Sequence, residues 1–211
     1  MTRLYFQMSE FFIIAASSVY WANEEKPHLF PNWHTNGFAI RGASINSGDP
    51  SKKVETIIKH NSGIIKGRKI ILWHDVVNNS LSTKKYEAMA PSEFFTQLNR
   101  LKELNVVGFT YLFRAGAQNL QKHWHLCPSG ITYLHMKVIL TKRYRLLMDP
   151  DNDLHLNSVL EAHMVSRVTC CTDLRQLTHR RKVNRKQNLQ NKVSYDWTFF
   201  LALLKTLTII L

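Results

Sequence analysis

The sequence predicts an α/β fold: a doubly wound, mainly parallel sheet of about five strands with helices on both faces. Two observations support this prediction. Short apolar runs alternate with amphipathic helical patterns along the chain, which is typical of β-α-β units in a parallel sheet. The chain also has 211 residues, of which 45% are hydrophobic and 20% are charged, enough to form a sizeable core and unlike a disordered composition.

The first half of the chain contains three predicted strands and one predicted helix. The run EFFIIAA, residues 10–16, is a buried strand or the start of a helix, and GFAIRGASI, residues 37–45, is a strand that enters a turn. A helix is predicted over residues 49–63 and ends at Gly63. The run RKIILW, residues 68–73, is a compact buried strand that is followed by the polar stretch HDVVNN.

The segment PSEFFTQLNRLKEL, residues 91–104, predicts an amphipathic helix. Phe94, Leu98 and Leu101 follow one another at i, i+4 and i+7, so they share one face, and Ser92 is the predicted cap.

The second half of the chain continues the alternation. Residues 105–113 predict a strand, residues 129–144 a helix, residues 145–148 a short strand, residues 149–155 a loop and residues 156–164 the start of a last helix. The apolar residues expected on successive strands are Ile13, Ile40, Ile71, Val107 and Leu146.

The chain is predicted to have one α/β domain over residues 1–166 and a tail over residues 167–211 that lies outside the core. The tail has nine basic residues against two acidic ones, so it carries +7 of the total net charge of +13. Such a tail favours weak, nonspecific contact with nucleic acid or an anionic surface. Base stacking is not indicated, because no aromatic residue interrupts the basic run before Tyr195.

The last fifteen residues, WTFFLALLKTLTIIL, are apolar except for Lys205 and a few hydroxyls. A membrane-spanning helix needs roughly 20 apolar residues. A short core helix is therefore favoured over a membrane contact at this end of the chain. The apolar run near the amino terminus is preceded by Glu10 and has only Arg3 as a positive charge, which makes a poor secretory signal.

The cysteines and histidines predict neither a disulfide framework nor a metal site. Three cysteines cannot all pair, which weakly favours a reducing, cytoplasmic location. His123, His125, Cys127 and His135 are all residue types that bind zinc, but their spacing matches no closed zinc pattern. We therefore expect no metal and no cofactor.

Four polar points follow the predicted strands. They are Ser17-Ser18, the turn at Gly42, Asn78 and His155. Parallel strands bring their carboxyl ends to one edge of a sheet, which is where open α/β sheets bind ligands. A serine, an imidazole and amide donors at one edge are the parts of an acyl-transfer site.

The order and spacing of these blocks resemble the SGNH (GDSL-like) hydrolase superfamily over roughly the first 165 residues. The block NDLHLN is the best match, because this family often reads Asp-Gly-Leu-His-Leu before its last helix. The resemblance implies a three-layer, flavodoxin-like sandwich and hydrolysis of a small acyl ester. It assigns Ser18 as the nucleophile, His155 as the base and Asn152 as the residue that orients it. Gly42 and Asn78 would form the oxyanion hole.

The first and third blocks depart from the family pattern. Ala16 and Ser17 stand where the family has Gly-Asp, Val76 stands for Gly, and Asn79 stands for Asp.

The last block departs as well, because Asn152 stands where the family has Asp three residues before His155. Replacing the triad Asp by Asn in a serine protease costs on the order of 10⁴ in rate. Asp151 or Asp153 could substitute if the loop is offset by one residue.

Three functions therefore compete: a divergent esterase or acylhydrolase, a catalytically inactive binding or structural module of the same fold, and an anionic-surface or nucleic-acid binder. His74 and Asp75 also have two interpretations. They are either a pair that braces the site or the solvent-facing half of the strand end.

Overall fold

Five parallel strands form the central sheet in the computed structural model, which describes residues 9–82, 88–112, 120–134, 148–149 and 152–170. The strands are β1 (Phe11–Ala15), β2 (Gly37–Ala39), β3 (Lys69–Leu72), β4 (Val106–Phe109) and β5 (Thr132–Tyr133). Their spatial order is β2-β1-β3-β4-β5, and every neighbouring pair is parallel. A separate antiparallel pair consists of β6 (Met148–Asp149) and β7 (Asn152–Leu156).

Helices connect these strands and cover both faces of the sheet. In the described part of the chain the α-helices are α1 (Ser17–Glu25), α2 (Trp33–Asn36), α3 (Val54–His60), α4 (Ser62–Ile65), α5 (His74–Ser80), α6 (Pro91–Lys102) and α7 (Ser158–Thr169). Short 3₁₀ segments occur at Pro27–Leu29, Pro50–Lys52 and Leu120–Leu126. The prediction of a three-layer α/β fold with a parallel sheet of about five strands is confirmed.

The alternation of side chains along β1 builds two separate cores. Phe12 and Ile14 belong to the layer that contains the apolar residues of α3 and α6. Phe11 and Ile13 point to the other face and pack with α1 and α7. Successive residues of a strand face opposite sides of the sheet, so a strand that is buried on both faces must be apolar at every position. This explains why β1 reads FFIIA without interruption.

Two predicted elements in the second half of the chain are wrong. Thr132–Tyr133 forms β5 instead of a helix, because it pairs with β4 and the Tyr133 ring packs against Phe109, with ring centroids 5.6 Å apart. Part of the predicted loop over residues 149–155 is extended, since β7 pairs with β6. Leu146, predicted for the last strand, lies outside the described residues.

Three local details also differ from the prediction. Ser92 lies inside α6, whose cap position is Ala90, because a proline at the first helical position is already shaped for a helix start. Gly63 does not end the helical region but lies within α4. The polar stretch HDVVNN, taken from the sequence as the end of a strand, is helical, because α5 begins two residues after β3 ends.

The predicted domain boundary at residue 166 falls within α7, which continues to Thr169 with Val168 buried. The chain divides into two units, residues 1–178 and 179–211, and all described residues belong to the first. The tail from residue 171 lies outside the described residues, so its predicted separation from the core stays a prediction. Within the described ranges, no helix combines the length and the apolar character that a membrane crossing requires.

Candidate functional site

The strand order places the ends of β1 and β3 at the switch point of the sheet. In a 2-1-3-4-5 sheet the connections leave β1 and β3 in opposite directions, which opens a crevice at their carboxyl ends. A single residue separates each strand from its helix: Ala16 lies between β1 and α1, and Trp73 lies between β3 and α5. The first residues of α1 and α5 are therefore brought together at this crevice.

Asp75 joins the beginnings of these two helices. Its Oδ1 accepts hydrogen bonds from the Ala16 N–H at 3.0 Å and the Val76 N–H at 3.1 Å. Its Oδ2 accepts the Ser18 N–H at 2.7 Å. Burial raises the pKa of the Asp75 carboxyl, and the hydrogen bonds from Ser18 and Ala16 oppose that shift. Asp75 is thus a buried brace between α1 and α5, not a solvent-facing residue.

The Ser18 hydroxyl lies within hydrogen-bond distance of three polar side-chain atoms. Its Oγ is 3.1 Å from His74 Nε2, 3.0 Å from Asp75 Oδ2 and 3.2 Å from Glu161 Oε1. A hydroxyl has one proton, so it donates to one of them at a time. Ser18 is 2% exposed. We call Ser18, His74, Asp75 and Glu161 the switch-point cluster.

Glu161 was not singled out from the sequence, although it is fully buried in this cluster. Its Oε1 accepts a hydrogen bond from Trp73 Nε1 and lies 3.6 Å from His74 Nε2. The sequence feature that points to Glu161 is its spacing on α7, where it shares a helical face with the buried Val165 and Val168 at i+4 and i+7. A lone carboxylate on the apolar face of a helix indicates a buried polar partner.

Asn78 lies one helical turn beyond the start of α5. Its Nδ2 donates to the Leu112 carbonyl at 2.8 Å, and the Leu112 N–H donates to its Oδ1 at 2.9 Å. This reciprocal pair ties α5 to the segment that follows β4. The first two helical positions after β3, close to where the family pattern has its third block, are His74 and Asp75, so Asn78 lies further along α5.

Gly42 is a turn glycine after β2. Its φ of 77° lies in the left-handed region that glycine adopts without strain, and the Ala43 N–H closes the turn on the Ile40 carbonyl at 2.9 Å. Asn79 Nδ2 donates to the Ala43 carbonyl at 3.2 Å and so links α5 to this turn. The roles of Gly42 and Asn78 in an oxyanion hole stay predictions.

His155 and Asn152 belong to β7, which lies beside α1, the helix that carries Ser18. Their side chains lie outside the described part of the structure, so the predicted pairing of Ser18 with His155 stays a prediction.

His123, His125 and His135 are of a residue type that binds zinc, although their spacing predicts no zinc site. His123 and His125 stack with ring centroids 6.2 Å apart, and His135 lies outside the described residues. Over those same ranges, no three histidine, cysteine, aspartate or glutamate side chains are placed to hold a metal ion.

Fold and site together define a three-layer α/β protein with a buried serine–histidine–carboxylate cluster at the switch point of its sheet. Compared with protein-family models, curated proteins and solved structures, the chain gives no match.

Proposed function

We propose that this protein is a divergent SGNH-like ester hydrolase in which Ser18 is the nucleophile. The observation that carries the proposal is the position of the Ser18 hydroxyl, at the carboxyl end of β1 and 3.1 Å from an imidazole nitrogen. Nucleophilic catalysis needs a hydroxyl with a proton acceptor and hydrogen-bond donors within reach. The order of the sequence blocks supports the same assignment.

His74 acts as a hydrogen-bond donor in this proposal. Its Nε2 lies 3.6 Å from Glu161 Oε1 and 3.1 Å from Ser18 Oγ. A ring nitrogen that faces a carboxylate carries a hydrogen, so Nε2–H donates towards the serine instead of taking its proton. When Ser18 Oγ attacks the acyl carbon, this N–H stabilises the oxyanion that forms. The donor is needed because the Ser18 N–H is already bound to Asp75.

His155 is the general base in this proposal. Its strand lies beside α1, and the resemblance places it before the last helix of the family. The imidazole takes the Ser18 proton as the Oγ–carbon bond forms, and then gives that proton to the leaving alkoxide as the ester bond breaks. Water then attacks the acyl-enzyme. The imidazole takes the proton of this water and returns it to Ser18 Oγ as the bond between Oγ and the acyl carbon breaks.

The proposal is tested by turnover of 4-nitrophenyl acetate by the full chain and its variants. Ser18→Ala is expected to abolish turnover, whereas Ser17→Ala, the adjacent serine, retains it. His155→Gln is expected to lower kcat by about 10²–10⁴. His74→Asn keeps a donor and is expected to lose no more than about tenfold. If His74→Asn loses activity and His155→Gln retains it, His74 is the general base and His155 is not.

One observation favours a second function, a non-catalytic binding or structural module of the same fold. Ser18 is nearly inaccessible, and Asp75 Oδ2 occupies its N–H at 2.7 Å. In a closed module, the polar groups of the switch-point cluster would stabilise the fold and react with nothing. Absence of turnover in the folded wild-type protein would favour this function over the hydrolase.

A further inference from the structure

Arg41 lies at the carboxyl edge of the sheet, just after β2 and beside the start of α1. The preceding residue, Ile40, donates its N–H to the Ala15 carbonyl at 3.1 Å, which is the last ladder contact between β2 and β1. Arg41 follows at once and precedes the turn at Gly42. Its backbone is therefore fixed next to the end of β1, where α1 and the switch-point cluster begin.

The Arg41 side chain lies over two aromatic rings of α1. Its guanidinium carbon is 4.7 Å from the centroid of Trp21 and 6.0 Å from that of Tyr20. Trp21 lies one helical turn beyond Ser17 and is 45% exposed, although it is a large apolar residue. A guanidinium stacked on a ring is held by its face, which leaves the N–H groups at its edge directed outwards.

Among the described residues, no carboxylate lies within ion-pair distance of Arg41. Lys52, Lys59 and Lys69 are each paired with an acidic side chain. On α1, the helix that carries the two rings, the Glu25 carboxylate accepts a hydrogen bond from Ser158. The guanidinium of Arg41 is thus an exposed, oriented cation without a described counter-charge.

A surface cation–π pair needs no ligand to be stable. What points to a ligand is the position of this pair, at the edge of the sheet where α/β folds bind small molecules and one helical turn from the proposed nucleophile. A planar guanidinium matches the two oxygens of a carboxylate or a phosphate.

We propose that Arg41 and Trp21 bind an anionic group of the ester substrate, so that the protein prefers acyl esters that carry a carboxylate or a phosphate. This inference rests on the proposed hydrolase function and adds the substrate class. Arg41 supplies the paired hydrogen bonds and the charge, while Trp21 fixes the plane of the guanidinium and gives an apolar surface for the chain of the substrate.

The experiment compares a neutral ester with a matched anionic one, 4-nitrophenyl acetate and the 4-nitrophenyl monoester of succinate. Arg41→Gln is expected to lower kcat/KM for the succinate ester by about tenfold, mainly through KM, and to leave the acetate ester unchanged. Arg41→Lys should fall between, because it keeps the charge and loses the planar fork. Arg100→Gln removes an exposed charge from α6 and controls for net charge.

A second readout separates this inference from the proposed function. Succinate is titrated into the Ser18→Ala full chain while the indole N–H of Trp21 is followed by NMR. A saturable shift that disappears in a variant that also carries Arg41→Gln supports the anion site even if no ester is hydrolysed. Hydrolysis of both esters with equal kcat/KM in wild type and Arg41→Gln would overturn the anion site and leave the hydrolase standing.

Discussion

Two polar regions share the carboxyl edge of the sheet, and they differ in how their polar groups are satisfied. The switch-point cluster at the ends of β1 and β3 is buried, and its members form hydrogen bonds with one another. The second region is the turn over residues 40–43 after β2, the Arg41 turn, in which Arg41 is exposed and its guanidinium lies over two aromatic rings of α1. A buried polar group without a partner is costly, whereas water can serve an exposed one. We therefore expect substitutions in the cluster to lower the free energy of unfolding more than substitution of Arg41.

The largest effect is expected from Asp75→Leu, which breaks the brace of the switch-point cluster. The N–H groups of Ala16 and Ser18 would lose their acceptor inside the protein. We expect the free energy of unfolding, measured by urea denaturation, to fall by about 4 kcal/mol. The control is Glu55→Gln, which removes an exposed ion pair with Lys59 and should cost within about 0.5 kcal/mol. Equal losses in the two variants would remove the distinction between buried and exposed polar groups.

A smaller effect is expected where β2 approaches β1, because this packing places the Arg41 turn. A Cβ on Gly37 would lie 2.8 Å from the Ile13 carbonyl oxygen and 2.3 Å from the Trp33 ring. Gly37→Ala should therefore destabilise the protein by about 2 kcal/mol in thermal or urea unfolding. Gly63 has open space around its Cβ position, so Gly63→Ala is expected to be neutral or stabilising by about 0.5 kcal/mol. If Gly37→Ala leaves the free energy of unfolding unchanged, β2 does not pack as closely against Ile13 and Trp33 as described.

The next prediction concerns the pH dependence of the cluster. Burial raises the pKa of Asp75 above its usual range, so the folded state keeps this proton to a higher pH than the unfolded chain. The stability that protonated Asp75 contributes is complete below the ordinary aspartate pKa and is lost as the pH rises through the raised folded value. Wild type should therefore lose stability relative to Asp75→Asn, which does not titrate, as the pH rises above the ordinary aspartate pKa and through the raised folded value. A free energy of unfolding of wild type that stays constant or rises with pH, relative to that of Asp75→Asn, would contradict the shift.

The smallest effect is expected from Arg41→Gln. Because the guanidinium is exposed and contacts only ring faces among the described residues, its loss should change the free energy of unfolding by less than about 0.5 kcal/mol. Urea denaturation of both proteins measures this change. A loss comparable to that of Asp75→Leu would make Arg41 a structural residue and end the contrast between the two regions.

The sequence predicted the parts of the fold in which local pattern and tertiary burial agree. The runs FFIIA and KIIL are apolar at each successive buried position, and Phe94, Leu98 and Leu101 mark the buried face of α6. It failed for β5, because a strand of two residues is defined by its pairing with β4 and not by any local period. It also failed for α5, where poor helix formers are held by the burial of Val76 and Val77.

The position of one member of the switch-point cluster could be predicted for similar reasons, whereas the catalytic roles stay predictions. Ser18 could be found because a serine after an apolar strand is visible in the sequence, and the structure places it at the switch point. From the sequence, Asn78 was placed at the end of β3. It lies inside α5 instead, and His74 and Asp75 are the helical residues nearest to the strand. No local pattern in the sequence shows that a helix begins there. Glu161 joins the cluster from 143 residues away, a contact that only tertiary packing reveals.

The most direct test of the central claim, that Ser18 is an activated nucleophile, is covalent labelling of the full chain with a fluorophosphonate followed by peptide mass spectrometry. In this reaction the serine oxygen displaces fluoride from phosphorus. We predict one adduct, on the peptide that contains Ser17 and Ser18, which persists in Ser17→Ala and is lost in Ser18→Ala. Labelling that persists in Ser18→Ala, or a folded wild-type protein that takes no label under conditions that label a known serine esterase, would contradict the claim.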